Sequence, residues 1–206
     1  MGEDLIFYTN PHSRGRIARW MLEEVGAEYR TEVVEYATEM KSPRYLAINP
    51  MGKVPAISHR GVVVTETAAI CAYLADAFPD AGLAPTPQES GSYYRWLFFA
   101  AGPLEAAIIN RSLGFEVPVE RERMVGYGTY AAVMDTLEAA LAKTDYAAGS
   151  RFTAADVYLG AHIGWGFEFD TIEKRAPLVD YWARIEGREA RHRADELDNA
   201  LIGADE

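Results

Sequence analysis

Cysteine is nearly missing from this 206-residue chain. Cys71 stands alone, so no internal disulfide and no thiolate metal cluster can form. That usage fits a reducing compartment. Positive charge is scarce as well. Lys and Arg number 20 against 31 Asp and Glu, a formal net charge of −11, which argues against a general attraction to nucleic-acid phosphates or anionic membranes. Histidines number 4, and none falls near His12 in sequence, so no metal site is expected. No apolar run approaches the roughly 20 residues of a membrane-spanning helix. The start, Met1-Gly2-Glu3-Asp4, lacks the basic segment of a secretory signal, and Ile6 stands where myristoylation of Gly2 wants Ser or Thr. Repeats and low-complexity segments are absent too. A cytoplasmic protein of one or two domains is expected, with 49% hydrophobic residues to build a core.

What is present begins with a run of short elements. Leu5-Ile6-Phe7-Tyr8 reads as a buried strand, with Thr9-Asn10-Pro11 as the loop after it. Ile17, Trp20, Met21 and Val25 recur at helical spacing up to Gly26, a helix stop. Residues 29–35 read as a second strand, and Ser42-Pro43 opens a short helical stretch. Residues 49–67 read as a loop, a short apolar strand, a turn at Arg60-Gly61, another strand and the start of a helix. Ile70, Leu74, Ala77 and Phe78 give that helix one apolar stripe, and Pro79 ends it. Cys71 lies inside it and reads as packed core rather than as a nucleophile.

The loop and hairpin of residues 49–67 carry the chemistry. Pro55 cannot donate to a sheet ladder and so belongs at an edge or a first position. The backbone at Val54 is then a candidate for pairing with an extended peptide from outside the protein. Thr65-Glu66-Thr67 places a carboxylate and a hydroxyl at a helix N-terminus, where amide groups attract an anion while Glu66 can hold a cation. One segment thus offers a strand edge and, beside it, a place for a zwitterion. Glutathione, a tripeptide with a zwitterionic γ-glutamyl end, fits both.

Asn49-Pro50-Met51-Gly52-Lys53-Val54-Pro55-Ala56 and Thr65-Glu66-Thr67-Ala68-Ala69-Ile70 resemble the glutathione-binding segments of the cytosolic, bacterial-like glutathione S-transferases. The resemblance covers nearly the whole chain and is strongest in residues 5–78 and 152–160. It implies a cis bond before Pro55 and a fold in two parts. An α/β thioredoxin-like N-terminal domain over residues 1–79 is followed by a linker, 80–87, and an all-α helical-bundle C-terminal domain, 88–206. It also implies Lys41, in Met40-Lys41-Ser42-Pro43, and Lys53 as contacts for glutathione, although methionine replaces the histidine usual before that lysine. Glutathione would be the co-substrate, with no metal.

Two hydroxyls qualify to activate the thiol of glutathione. Ser13 occupies the position of the serine in serine-type classes, at the mouth of the first helix. Tyr8, at the strand end, resembles the tyrosine of other classes, with extra residues intervening before Arg14. Ser13 is preferred, with Tyr8 second and Asn10 third; plain N-capping is the structural alternative for Ser13.

From residue 88 the helical pattern dominates. Pro103 is expected to kink or end a helix dense in aromatics, and Pro118 to open another that runs to Lys143. Phe152-Thr153-Ala154-Ala155-Asp156-Val157 is a capping box with a hydrophobic staple, which makes Asp156 structural rather than catalytic. The resemblance implies an apolar electrophile site between the domains, for which Tyr94, Phe98 and Phe115 are candidates. The implied activity is conjugation of the glutathione thiolate to hydrophobic electrophiles by a homodimer. Glutathione-dependent peroxide or disulfide reduction, and a non-catalytic binding or assembly module on the same fold, are the alternatives.

Overall fold

A computed structural model describes residues 5–202; the reading of the Met1-Gly2-Glu3-Asp4 start lies outside them. The elements in chain order are β1 (Leu5–Thr9), α1 (Gly15–Glu24), β2 (Arg30–Val33), α2 (Pro43–Leu46), β3 (Ala56–His59), β4 (Val62–Thr65) and α3 (Thr67–Ala77). The helices α4 (Ser90–Phe99), α5 (Glu105–Ser112), α6 (Tyr130–Leu141), α7 (Ala154–Glu168), α8 (Ala176–Ile185) and α9 (Glu189–Ile202) follow. Two compact units divide the chain. One takes in the residues up to Ala84 together with those from Arg188 onward, and the other is Pro85–Gly187.

The first unit is built on a four-stranded sheet of order β2-β1-β3-β4. Strand β1 runs parallel to β2 and antiparallel to β3, and β4 pairs antiparallel with β3. This is the β-α-β-α-β-β-α order expected of a thioredoxin-like domain. The two-residue period of β1 divides its side chains. Phe7 faces α1, where the guanidinium of Arg19 sits 5.1 Å from its ring centre. Tyr8 points the other way, into a cluster with Val34, Met40, Tyr45 and Ala56. Ile70, Cys71 and Leu74 of α3 are fully buried, so the expected stripe forms and the cysteine is core. Burial also pushes the Cys71 thiol far up, which keeps it protonated.

The last helix, α9, falls in the first compact unit. Ion pairs join it to α1: Arg16 with Asp195 at 3.1 Å, Arg19 with Asp198 at 2.9 Å, and Arg193 with Glu23 at 3.3 Å. Arg188, just before α9, holds Glu24 at 2.6 Å. In a helix of low hydrophobicity these charges select the docking face.

The second unit is helical. Around Pro103 the α pattern gives way: α4 stops at Phe99, a wide π turn covers Ala100–Leu104, and α5 follows directly. The single helix expected from Pro118 to Lys143 is interrupted. A 3₁₀ turn covers Val119–Met124, Gly128 has φ 65°, and α6 starts only at Tyr130. Asp156 is fully buried and accepts hydrogen bonds from the amides of Thr153 and Ala147 and the hydroxyls of Thr153 and Tyr181. It is the structural residue the capping motif predicts. No helix among the described residues is long and apolar enough to cross a membrane.

Candidate functional site

Strand register gathers the candidate residues at one end of the sheet. Tyr8 pairs with Ala56, and Ala56 with Thr65. The residues that follow Tyr8, precede Ala56 and follow Thr65 are therefore neighbours: Thr9 and the 10–14 loop, Val54 and Pro55, and Glu66 and Thr67. Segments far apart in sequence meet there because β3 lies between β1 and β4.

The loop after β1 is tied down by Asn10. Its side-chain amide donates to the Val34 carbonyl at 3.3 Å and its oxygen accepts from the His12 amide at 3.1 Å, while Val34 donates to Thr9 at 2.8 Å. Asn10 thus acts as an anchor. Ser13, half-buried, accepts from the Gly15 amide at 2.9 Å and donates to the Asn10 carbonyl at 2.6 Å. Its oxygen satisfies one orphan donor of α1, and its proton has an acceptor from which it can turn.

Tyr8 stands in a different neighbourhood. It is 8% exposed and tilted against Tyr45, with ring centres 6.0 Å apart. A cavity of about 320 Å³ is lined there by Tyr8, Glu32, Val34, Arg44 and Tyr45. Burial pushes its phenol up, and the Glu32 carboxylate adds to the rise. Both effects hold the proton on Tyr8.

The 49–55 loop is braced from inside. Asn49 and the Tyr45 hydroxyl both donate to the Lys53 carbonyl, at 2.8 and 2.7 Å. Lys41 donates to the carbonyls of Met51 at 3.1 Å and Gly52 at 2.8 Å. Gly52 has φ 57°, and a Cβ there would stand 2.6 Å from the Met40 carbonyl, so glycine is required. The Val54–Pro55 bond is cis, as the resemblance implies. The amide and carbonyl of Val54 make no hydrogen bond among the described residues. Lys53 is exposed next to it.

Glu66 adopts φ 65°, ψ 117°, a conformation that favours glycine, and its carboxylate is exposed without an ion pair among the described residues. Thr67 is 7% exposed at the first position of α3, where the amides have no intrahelical acceptor. The bracing roles of Tyr45 and Asn49 were not read from the sequence. An Asx-type turn at Asn49-Pro50 was the available signal for one, and nothing local marks the other.

In the second unit the structure does not collect the apolar candidates. Phe115 lines a cavity of about 370 Å³ with Ala107, Arg111, Tyr127 and Tyr130. Tyr94 and Phe98 stack on each other along α4, 44% and 69% exposed, outside that cavity.

A thioredoxin-like unit whose strand ends converge on an unpaired main-chain segment, joined to an all-helical unit, defines a class that comparison with known proteins makes explicit. The family models for the N-terminal and C-terminal domains of glutathione S-transferase match residues 13–77 and 110–182. Glutathione S-transferase F10 of Arabidopsis thaliana is 30% identical over 188 residues, 82% of this chain and 86% of its own. A crystal structure of a glutathione transferase from Methylococcus capsulatus superposes with a TM-score of 0.77 at 27% identity, covering 95% of this chain and 99% of that one. A sphingomonad glutathione S-transferase solved in complex with glutathione gives 0.75 at 27%, covering 94% and 98%. The chain belongs to the glutathione S-transferase family, enzymes whose general reaction joins glutathione to electrophiles.

Proposed function

We propose that this chain binds glutathione across the converging strand ends of the first unit and activates its thiol with Ser13. The observation that carries this reading is the unpaired main chain of Val54 beside Pro55, an open edge onto which the cysteinyl part of the tripeptide adds as a strand. Glu66 takes the ammonium of the γ-glutamyl end, and the Thr67 hydroxyl with the first amides of α3 takes its carboxylate. Lys53 and the one donor that Lys41 has not committed to Met51 and Gly52 serve the glycine carboxylate.

A free thiol has a pKa of about 8.5 and is mostly protonated at neutral pH. Ser13 turns its proton from the Asn10 carbonyl to the sulfur, which favours the thiolate, and the thiol proton leaves to solvent. The thiolate then attacks an electrophilic carbon: a C–S bond forms, and the leaving group departs with its electron pair. Tyr8 is the second candidate for Ser13's role. Phe115, which lines the cavity of the second unit, contacts the apolar electrophile. The enzyme works in the cytoplasm on this reading, in keeping with the single buried cysteine, and as a homodimer, the assembly the family resemblance implies.

Calorimetry with millimolar glutathione, followed by turnover of an aryl halide, tests the reading. Ser13→Ala is expected to abolish turnover and Tyr8→Phe to keep it. No heat of binding sinks the reading, and the reverse pattern of variants hands the role to Tyr8.

A further inference from the structure

Thr9 ends β1 and is fully buried, yet its hydroxyl makes no hydrogen bond among the described residues. An unpaired buried hydroxyl costs stability, and valine has the same shape without it. Packing alone therefore gives no reason for threonine here. Its position does. A Cβ built on Gly15 would stand 2.9 Å from Ser13 Oγ and closer still to Thr9 Oγ1, so both oxygens crowd the same point at the first turn of α1. Ser13 Oγ has two lone pairs, and the Gly15 amide occupies one.

We propose that Thr9 is a positioning residue for the reaction, donating its hydroxyl proton to Ser13 Oγ when Ser13 turns toward the glutathione sulfur. This rests on the assignment of Ser13 made above. In the resting arrangement Ser13 gives its proton to the Asn10 carbonyl, which also accepts the Ser13 amide at 3.0 Å. When the proton swings to sulfur, Asn10 keeps the amide, so no carbonyl is orphaned. The Thr9 hydroxyl then fills the second lone pair of Ser13 Oγ. A hydroxyl that accepts two hydrogen bonds is a stronger donor itself, because chained hydrogen bonds polarise one another. Ser13 keeps its proton throughout; what changes is how firmly it holds the thiolate. The buried hydroxyl left unpaired in the resting enzyme thereby gains a partner when the thiolate forms.

The test compares Thr9→Val and Thr9→Ser with the parent enzyme. It reads the pKa of bound glutathione from thiolate absorbance, together with the pH profile of kcat/KM. Thr9→Val is expected to raise the bound thiol pKa by about half to one unit and to lower kcat/KM about 3- to 10-fold below that pKa, one unit being tenfold. The profiles should converge at high pH, with KM for glutathione unchanged and the urea midpoint equal or higher. Thr9→Ser should restore the parent profile. An unshifted profile in Thr9→Val overturns the proposal, and so does a shift of the same size in Thr9→Ser, which would mean packing. If valine disrupts β1, Thr9→Ala removes the same hydroxyl and takes its place. Ser13→Ala separates the two levels. Should it leave the thiol pKa untouched, the Ser13 reading itself fails; should it raise the pKa while Thr9→Val does not, only the role of Thr9 fails.

Discussion

Arg19 on α1 and Asp198 on α9 meet at 2.9 Å, Nε to Oδ1, with only 3% and 1% of their side chains exposed. Arg19 also donates to Tyr29 and Thr31, at 3.2 Å each, and so ties α9 to both the helix and the strand beneath it. Burial pushes the Asp198 carboxyl up against the pull of Arg19, so the pair is held by geometry at a cost in desolvation. Removing one partner strands the other. Asp198→Ala is expected to lose about 3–5 kcal/mol in urea unfolding, whereas replacing both residues, Arg19→Met with Asp198→Leu, costs less than that single change.

Glu66 separates binding from stability. Its positive φ costs about 1–3 kcal/mol in a non-glycine residue, and such strain is kept where it serves a site. Glu66→Gly relieves it. The variant is expected to match the parent in thermal unfolding, or exceed it by about 1 kcal/mol, while losing glutathione affinity in calorimetry. A stable variant that binds glutathione as the parent does contradicts the role given to the carboxylate.

Asp156 collects four donors between 2.7 and 2.9 Å in the interior of the second unit. An asparagine offers one oxygen and brings an amide group that repels the donors on the other side. Asp156→Asn is expected to destabilise by about 2–4 kcal/mol, read as a lower urea midpoint with an unchanged slope.

Glu89 gives a pH dependence with a definite sign. Arg151 forms a forked pair with it, Nη2 to Oε2 at 2.6 Å and Nε to Oε1 at 2.9 Å. That hydrogen bonding, helped by the Thr86 amide, holds the Glu89 carboxyl down at about 2. Because the folded value lies below that of the unfolded chain, the stabilisation is present above the ordinary glutamate range, about 4.3, and is lost as pH falls toward 2. NMR titration should find Glu89 ionised at pH 3, and Arg151→Ala should return it toward the ordinary value.

Local chemistry wrote much of the first unit into the sequence. The apolar run at Leu5, the stripes of α1 and α3, the strand entry at Pro55 and the helix start at Thr67 each depend on neighbours a few residues away, and each forms as read. The Thr153–Asp156 box was legible for the same reason: its partners are three residues apart. At Pro103 the α pattern gives way to a π turn, and local rules do not say which kind of turn takes up a lost amide. The helix expected over 118–143 gives way to a 3₁₀ turn at Val119–Met124 and to Gly128 at φ 65°, and Gly126 and Gly128 are the local signal for that interruption.

Residue order alone determined the elements of the first unit, the Thr153 cap and the family to which this chain belongs, since periodicity and turn chemistry act over one or two turns of chain. The three-dimensional arrangement decided which strand ends share a corner, that Tyr8 turns from α1 toward α2, and that α9 returns to α1 across some 180 positions. Those outcomes depend on pairing register and on charges meeting across long loops, and no short window of sequence contains both partners.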